Sequence, residues 1–332
     1  MSLDQAATGP LDRLAAHLAE DMAAVNALIR ARMASEHAPR IPEVTAHLVE
    51  AGGKRLRPLL TLAAARLCGY RGEDHIRLAA TVEFIHTATL LHDDVVDDST
   101  RRRGRPTANL LWDNKSSVLV GDYLFARSFQ LMTETGAIRV LEILADAAAT
   151  IAEGEVLQLT AARSLATDER VYLQIIRGKT AALFAAAAEV GGVIAGAPAQ
   201  EVAALRAYGD ALGICFQIVD DLLDYEGTGK TGKNIGDDFR EGKLTLPLIK
   251  AIAHADGDER AFWERVIETG RQEDGDLERA LRILRGHGAL EAARADARAW
   301  AERARMALKA LPENDTRLIL AELPDYVISR IS

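Results

Sequence analysis

Within residues 81–107, TVEFIHTATLLHDDVVDDSTRRRGRPT, three aspartates, Asp93, Asp94 and Asp97, stand among apolar residues and a run of arginines follows them. On a helix turning about 100° per residue, His86, Asp93 and Asp97 fall within roughly 20° of one line, with Asp94 to one side. Like charges four residues apart repel by about 0.2–0.5 kcal/mol per pair, and Leu90, Leu91, Val95 and Val96 draw the cluster out of water and raise that cost. The arrangement calls for a cation. Hard oxygen ligands with no cysteine nearby favour Mg²⁺ over zinc, and Mg²⁺ typically takes one or two carboxylates together with substrate phosphates.

The pattern recurs at Asp220, Asp221 and Asp224 in FQIVDDLLDY, again among apolar residues. With 25 aspartates in 332 residues, chance yields about 0.14 copies of D-D-x-x-D in such a chain, so a pair is a strong signal. Gln217 precedes Asp220 and Asp224 by three and seven positions, which puts all three on one side of a helix. Two other matches dissolve on inspection. Glu83-Phe84-Ile85-His86 has the form of a di-iron bundle motif, but the chain holds no second E-x-x-H. GTGKTGKN at 227–234 nearly matches a nucleotide-binding loop, yet Asn234 replaces the Ser/Thr and an acidic helix, not a strand, precedes it.

Gly52-Gly53-Lys54-Arg55-Leu56-Arg57-Pro58, the two aspartate motifs, Arg102-Arg103-Gly104, Gly178-Lys179-Thr180, Gln217 and the run from Gly232-Lys233-Asn234 to Pro247 occur in that order along nearly the whole chain. In these residues the sequence resembles the trans-polyprenyl diphosphate synthases, which lengthen an allylic diphosphate by successive additions of isopentenyl diphosphate. The resemblance implies a single-domain, all-α helical bundle of the isoprenoid synthase type with a central apolar product cavity. It implies that Lys54, Arg57, His86 and Arg103 bind the diphosphate of isopentenyl diphosphate. Arg102, Lys179, Thr180, Gln217, Lys233 and Lys243 would bind the allylic diphosphate, farnesyl or geranylgeranyl, with Lys233 and Lys243 closing over it. Asp93, Asp97, Asp220 and Asp224 would hold Mg²⁺, with Mn²⁺ as a substitute; Asp94 and Asp221 belong to the same catalytic clusters.

Loss of diphosphate from an allylic carbon leaves a cation and a heavily charged leaving group, so cations at the leaving oxygens would supply the main catalytic effect. The double bond of isopentenyl diphosphate then attacks, and a proton is lost. Water must be kept away from the carbocation. In the family, bulky aromatics just before the first aspartate motif stop chain growth early; here those positions are Ala88 and Thr89. The resemblance therefore implies a long product, octaprenyl to decaprenyl, with a quinone side chain as its use. Phe125, Phe129 and Met132 are candidates for a deeper floor, though they read more readily as ordinary core. A shorter-chain geranylgeranyl synthase, a non-catalytic subunit on the same fold and a terpene cyclase are the competing readings. Two intact aspartate motifs speak against the subunit, and GGKRLRP speaks against the cyclase.

These groups must be positioned by helices. Apolar residues recur at helical spacing through 11–33, 81–97, 137–161, 168–188, 199–225, 276–285 and 289–311, no segment alternates as a strand would, and alanine is abundant from residue 116 on. No linker is visible, so 11–332 reads as one domain after a disordered 1–10. A net charge of −9 argues against a nucleic-acid partner. Two cysteines, Cys68 and Cys215, make neither a disulfide framework nor a metal pattern. The small-residue stretch 181–197 does not read as a membrane span, and the chain is expected to be cytoplasmic. The family analogy adds a homodimer, and the insolubility of a long product adds transient membrane contact at release.

Overall fold

Helical periodicity in the sequence becomes helix almost throughout the computed structural model, which describes residues 9–50, 52–226 and 235–331. In order these are α1 Pro10–His17, α2 Ala19–Met33, α3 Arg40–Glu50, α4 Leu56–Leu67 and α5 Asp74–Val96. A two-residue strand pair follows, β1 Arg101–Arg102 and β2 Arg105–Pro106, then α6 Ala108–Leu111, α7 Asn114–Glu134 and α8 Ile138–Ala161. Next come α9 Glu169–Ile176, a π-helical turn at Arg177–Ala181, α10 Ala182–Ile194 and α11 Ala199–Glu226. The chain ends with α12 Asp237–Glu241, α13 Leu246–Ile252, α14 Gly257–Trp263, α15 Asp276–Gly286, α16 Ala289–Ala307 and α17 Asp315–Ile328.

Three details depart from the periodicity. The segment 11–33 breaks at Leu18, whose φ of −113° and ψ of 22° leave the helical region. The segment 168–188 is one helical path interrupted by the π turn. The basic run RRRGRP folds into the only strands among the described residues, with Arg102 opposite Arg105. Its turn takes positive φ at Arg103 (53°) and Gly104 (77°), the pattern of a type I′ hairpin.

The described residues group into two compact units. The first takes the chain up to Ala148 with Leu183–Arg206 and Leu308–Ala321. Its axis is α5, apolar nearly all round and therefore buried: Leu78, Val82, Phe84, Ile85, Ala88 and Leu91 are all within 1% of full burial. Helices α2, α4 and α7 pack around it. Small residues permit that closeness; a Cβ added at Gly121 on α7 would sit 2.2 Å from the His92 ring of α5.

The second unit comprises Ala149–Ala182, Ala207–Ala307 and the chain from Glu322 onward. From Tyr208 on, α11 supplies much of its core through Tyr208, Leu212, Ile218, Leu222 and Tyr225, and Trp263 is wholly buried. Helix α13 packs on α9, α15 and α16. By length and composition α11 could cross a membrane, but 56% of its apolar window is buried in the fold, as a core helix requires.

Candidate active site

In the first unit the glycines of GGKRLRP let the chain turn sharply into α4. Gly52 has φ +74° and Arg55, the residue before the helix, has φ 47°. Pro58 falls in the first turn of α4, where its missing N–H is no loss. Lys54 is exposed on the loop, while Arg57 is carried onto the helix. The β1–β2 hairpin brings Arg103 to the same place: a Cβ on Gly53 would come within 2.7 Å of an Arg103 guanidinium nitrogen.

One carboxylate lies among these cations. Glu83 on α5 is 6% exposed and accepts a hydrogen bond from the Arg55 guanidinium. Burial pushes its carboxyl above the usual range, and Arg55, Arg57 and Arg103 pull it back. One turn further on, Arg57 Nη1 lies 3.2 Å from His86 Nε2. A guanidinium can only donate, so Nε2 accepts and the ring proton sits on Nδ1. Burial first, and then repulsion from Arg57, Arg103, Arg102 and Arg55, holds His86 neutral, well below the ordinary imidazole range. The Arg57 guanidinium also lies 4.5 Å over the Phe184 ring, and its desolvation there brings its pKa down to about 10. The result is a cradle with cations in excess over its single carboxylate, suited to a diphosphate.

The first aspartate motif ends α5. Asp93 and Asp97 are half-buried, one helical turn apart. Asp94 is fully buried: its Oδ1 accepts from Nε and Nη2 of Arg102, both at 2.8 Å, and its Oδ2 has no hydrogen-bond partner. Burial raises the Asp94 carboxyl, Arg102 opposes the rise, and the charges on Asp93 and Asp97 add to it. The backbone carbonyl of Asp94 accepts from Asn109 Nδ2, which also reaches the Ser99 carbonyl, so the turn into the hairpin is tied to the end of α5.

In the second unit α8 and the π turn cross with backbones nearly touching. A Cβ on Gly178 would lie 2.9 Å from both Gly154 Cα and the Thr150 carbonyl oxygen. The π turn is the local cost of that approach and displays Lys179, which pairs with Glu155 at 2.8 Å. Thr180 donates to Gln217 Oε1 at 2.8 Å, and Gln217 Nε2 donates to Asp221 Oδ1 at 2.8 Å. The other Asp221 oxygen accepts from the buried Tyr172 hydroxyl at 2.6 Å. Burial, reinforced by the Asp238 charge, raises the Asp221 carboxyl well above the usual range, against those two hydrogen bonds.

Asp224 is differently employed. Its carboxylate accepts from the backbone amides of Asp237 and Asp238, both at 3.2 Å, and its carbonyl accepts from Gly236. It therefore holds the start of α12 in place. Asp220 lies 3.7 Å from Arg330 Nη2, and Lys243 pairs with Glu241 at 2.7 Å. Lys233, with the rest of the 227–234 loop expected to close over substrate, lies outside the described residues. Among the described residues no three His, Cys, Asp or Glu side chains converge to hold a metal ion by themselves, which leaves room for ligation shared with substrate phosphates.

Of the residues expected to set product length, Ala88 is fully buried and Thr89, half-buried, donates to the His86 carbonyl at 2.9 Å. Met132 is buried and Phe125 stacks on His92 with centroids 6.1 Å apart. Phe129 is 44% exposed and so forms no interior floor; on α7 it stands about 40° round from Phe125 and about 60° from Met132, at the edge of their shared face.

Glu83, Tyr172 and Glu155 join the site without belonging to any of the motifs. Glu83 was visible as a lone carboxylate in an apolar stretch of α5. Tyr172 sits on the apolar face of a short amphipathic helix and carries no mark that separates it from core.

Residues 38–284, which contain every motif described above, match the polyprenyl synthetase family. The octaprenyl diphosphate synthase of Escherichia coli is 44% identical over 321 residues, 96% of this chain and 99% of that one. The crystal structure of a decaprenyl diphosphate synthase from Rhodobacter capsulatus is 72% identical, with a TM-score of 0.95 over 97% of this chain and 100% of that one. A polyprenyl synthase from Caulobacter crescentus, solved with calcium and isoprenyl diphosphate, is 53% identical, with a TM-score of 0.93 over 98% and 99%. On its fold and its sequence alike, the chain belongs to the polyprenyl synthetase family.

Proposed function

We propose that this chain is a long-chain trans-polyprenyl diphosphate synthase, which condenses isopentenyl diphosphate repeatedly onto an allylic diphosphate such as farnesyl diphosphate. The cradle of Arg55, Arg57 and Arg103 around Glu83 carries the reading. A cyclase needs one diphosphate subsite; a chain-elongating enzyme needs a second, and this cradle stands apart in kind from the acidic end of α5. The relatives named octaprenyl and decaprenyl diphosphate synthases, and the small Ala88 and Thr89, support the long product.

The residues fit a divalent cation. Asp93 and Asp97 present half-buried carboxylates one turn apart at the end of α5. Mg²⁺, or Mn²⁺ in its place, would neutralise the charge that grows on the departing diphosphate. The remaining tasks fall to the chain itself. Arg102, fixed by Asp94, presents its outer guanidinium edge to a diphosphate. Lys179, Thr180 and Gln217 offer donors to the same class of anion in the second unit. Lys54, Arg57, His86 and Arg103 hold isopentenyl diphosphate, and neutral His86 donates through Nδ1 without adding charge.

Exposed apolar side chains in the first unit, Leu110, Leu119 and Ile138 each at least 60% exposed, fit a homodimer. A cytoplasmic enzyme that touches a membrane when it releases product, and supplies a quinone side chain, completes the reading.

Incubation of the protein with farnesyl diphosphate, labelled isopentenyl diphosphate and Mg²⁺, followed by chromatography of the dephosphorylated products, tests it. A ladder ending between octaprenol and decaprenol is expected, and chelation by EDTA should stop it. Products ending at geranylgeraniol would overturn the chain length. Substrate binding without incorporation would make the chain a non-catalytic subunit.

A further inference from the structure

We propose that Glu83 is a positioning residue for the isopentenyl diphosphate subsite, holding Arg55, Arg57 and Arg103 in the geometry that a diphosphate meets. The inference rests on the assignment of that subsite above. Glu83 is 6% exposed, on the rigid and buried middle of α5, and its carboxylate takes the Arg55 guanidinium directly. Arg57 and Arg103, one from the start of α4 and one from the hairpin turn, are near enough to stabilise its charge. The three guanidiniums thus come from two separate backbone segments, the turn into α4 and the hairpin, and the Arg103 charge repels those of Arg55 and Arg57. Both segments are strained: Arg55 and Arg103 have positive φ. A buried anion common to all three is what keeps such a cluster assembled before substrate arrives.

Coulomb attraction and positioning make opposite predictions here. If charge alone mattered, removing a buried negative group from an anion site would tighten anion binding. If Glu83 acts by placing the arginines, removing its charge would loosen it, because misplaced donors cost more than one unfavourable charge. The experiment is Glu83→Gln, which keeps the side chain's shape, beside Glu83→Asp, which keeps its charge one methylene further back.

We expect KM for isopentenyl diphosphate to rise tenfold or more in E83Q and by a smaller factor in E83D, with KM for farnesyl diphosphate changed less than twofold in both. A fall or no change in the isopentenyl KM of E83Q overturns the proposal, as does an equal rise in both KM values, which is what a merely structural residue gives. Should E83Q fail to fold, E83D alone decides by the same split. Arg103→Gln run in parallel separates the two claims. If R103Q leaves the isopentenyl KM unchanged, the subsite is wrongly placed; if R103Q raises it and E83Q does not, only the role of Glu83 falls.

Discussion

Arg102 binds the middle aspartate of the first motif, Asp94, through two nitrogens on one carboxylate oxygen, each 2.8 Å away. Asp94 is wholly buried and Arg102 is 28% exposed at its side chain, so the pair has an inner and an outer end. The inner carboxylate anchors the outer cation, eight residues along the chain and across a turn that Asn109 ties down. Asp94→Asn should remove the charge and keep the shape. It should cost about 1.5–3 kcal/mol in urea unfolding, the value of a hydrogen bond to a charged group. KM for the allylic diphosphate should rise, while the Mg²⁺ concentration for half-maximal rate moves less than twofold. A large shift in that Mg²⁺ dependence would make Asp94 a metal ligand instead of an anchor.

Much of this arrangement was legible in the residues. Helix periods place α8, α11, α15 and α16 within a few positions, because each carries a long apolar stripe that must be buried, but find α5 only from residue 81 on, seven positions after its start at Asp74. The motifs named the cationic cradle and both acidic clusters. What stayed hidden depends on contacts far apart in sequence. Nothing near Asp94 says that it will face Arg102 while Asp93 and Asp97 stay nearer to water. Asp224 reads as a ligand like its neighbours, and only the return of the chain at Gly236 shows its carboxylate engaged by α12. The π turn at Lys179 was invisible for the same reason: it arises where Gly178 meets Gly154, 24 positions away (178 − 154).

That crossing yields a second prediction. Gly178→Ala would push a methyl group against backbone on α8, where no side chain can swing aside. Overpacking of this kind costs about 1–3 kcal/mol, and relief by helix separation would move Lys179 and Thr180. Thermal unfolding should show the loss, and turnover at saturating substrate should fall about tenfold or more, as small displacements of positioning groups do. Gly286→Ala is the control. It lies on a helix with open space around it and should be neutral or stabilise by about 0.5–1 kcal/mol. Equal effects of the two changes would remove the argument from the crossing.

His86 gives the protein a pH dependence with a definite sign. Its imidazole is held well below its ordinary range by burial and by Arg57, Arg103, Arg102 and Arg55. The unfolded chain, near the unperturbed value of about 6.5, therefore takes up a proton first as the pH falls. Stability from the neutral ring is complete above about pH 6.5 and is lost as the pH drops below that toward the folded-state value. Urea midpoints measured at about pH 7.5 and about pH 5.5 should differ more in the wild-type protein than in His86→Gln, which cannot titrate. Equal differences would assign the acid sensitivity to other groups, among them His75, which is lowered by its own burial.

Product length is tested at Ala88. It is fully buried on α5, between the cradle one turn before it and the aspartates one turn after it, and a phenyl ring there would occupy whatever space a growing chain uses at that level. Ala88→Phe should end the product ladder several isoprene units earlier, with chromatography of the dephosphorylated alcohols as the readout. The same change overpacks a filled position and should cost about 1–3 kcal/mol, so the assay belongs below the variant's own unfolding temperature. Thr89→Phe, at a half-buried position, should cost less stability and separates the two effects. A ladder of unchanged length in both variants would mean that the chain grows past another face of α5, and that the small residues at 88 and 89 serve only to let helices pack.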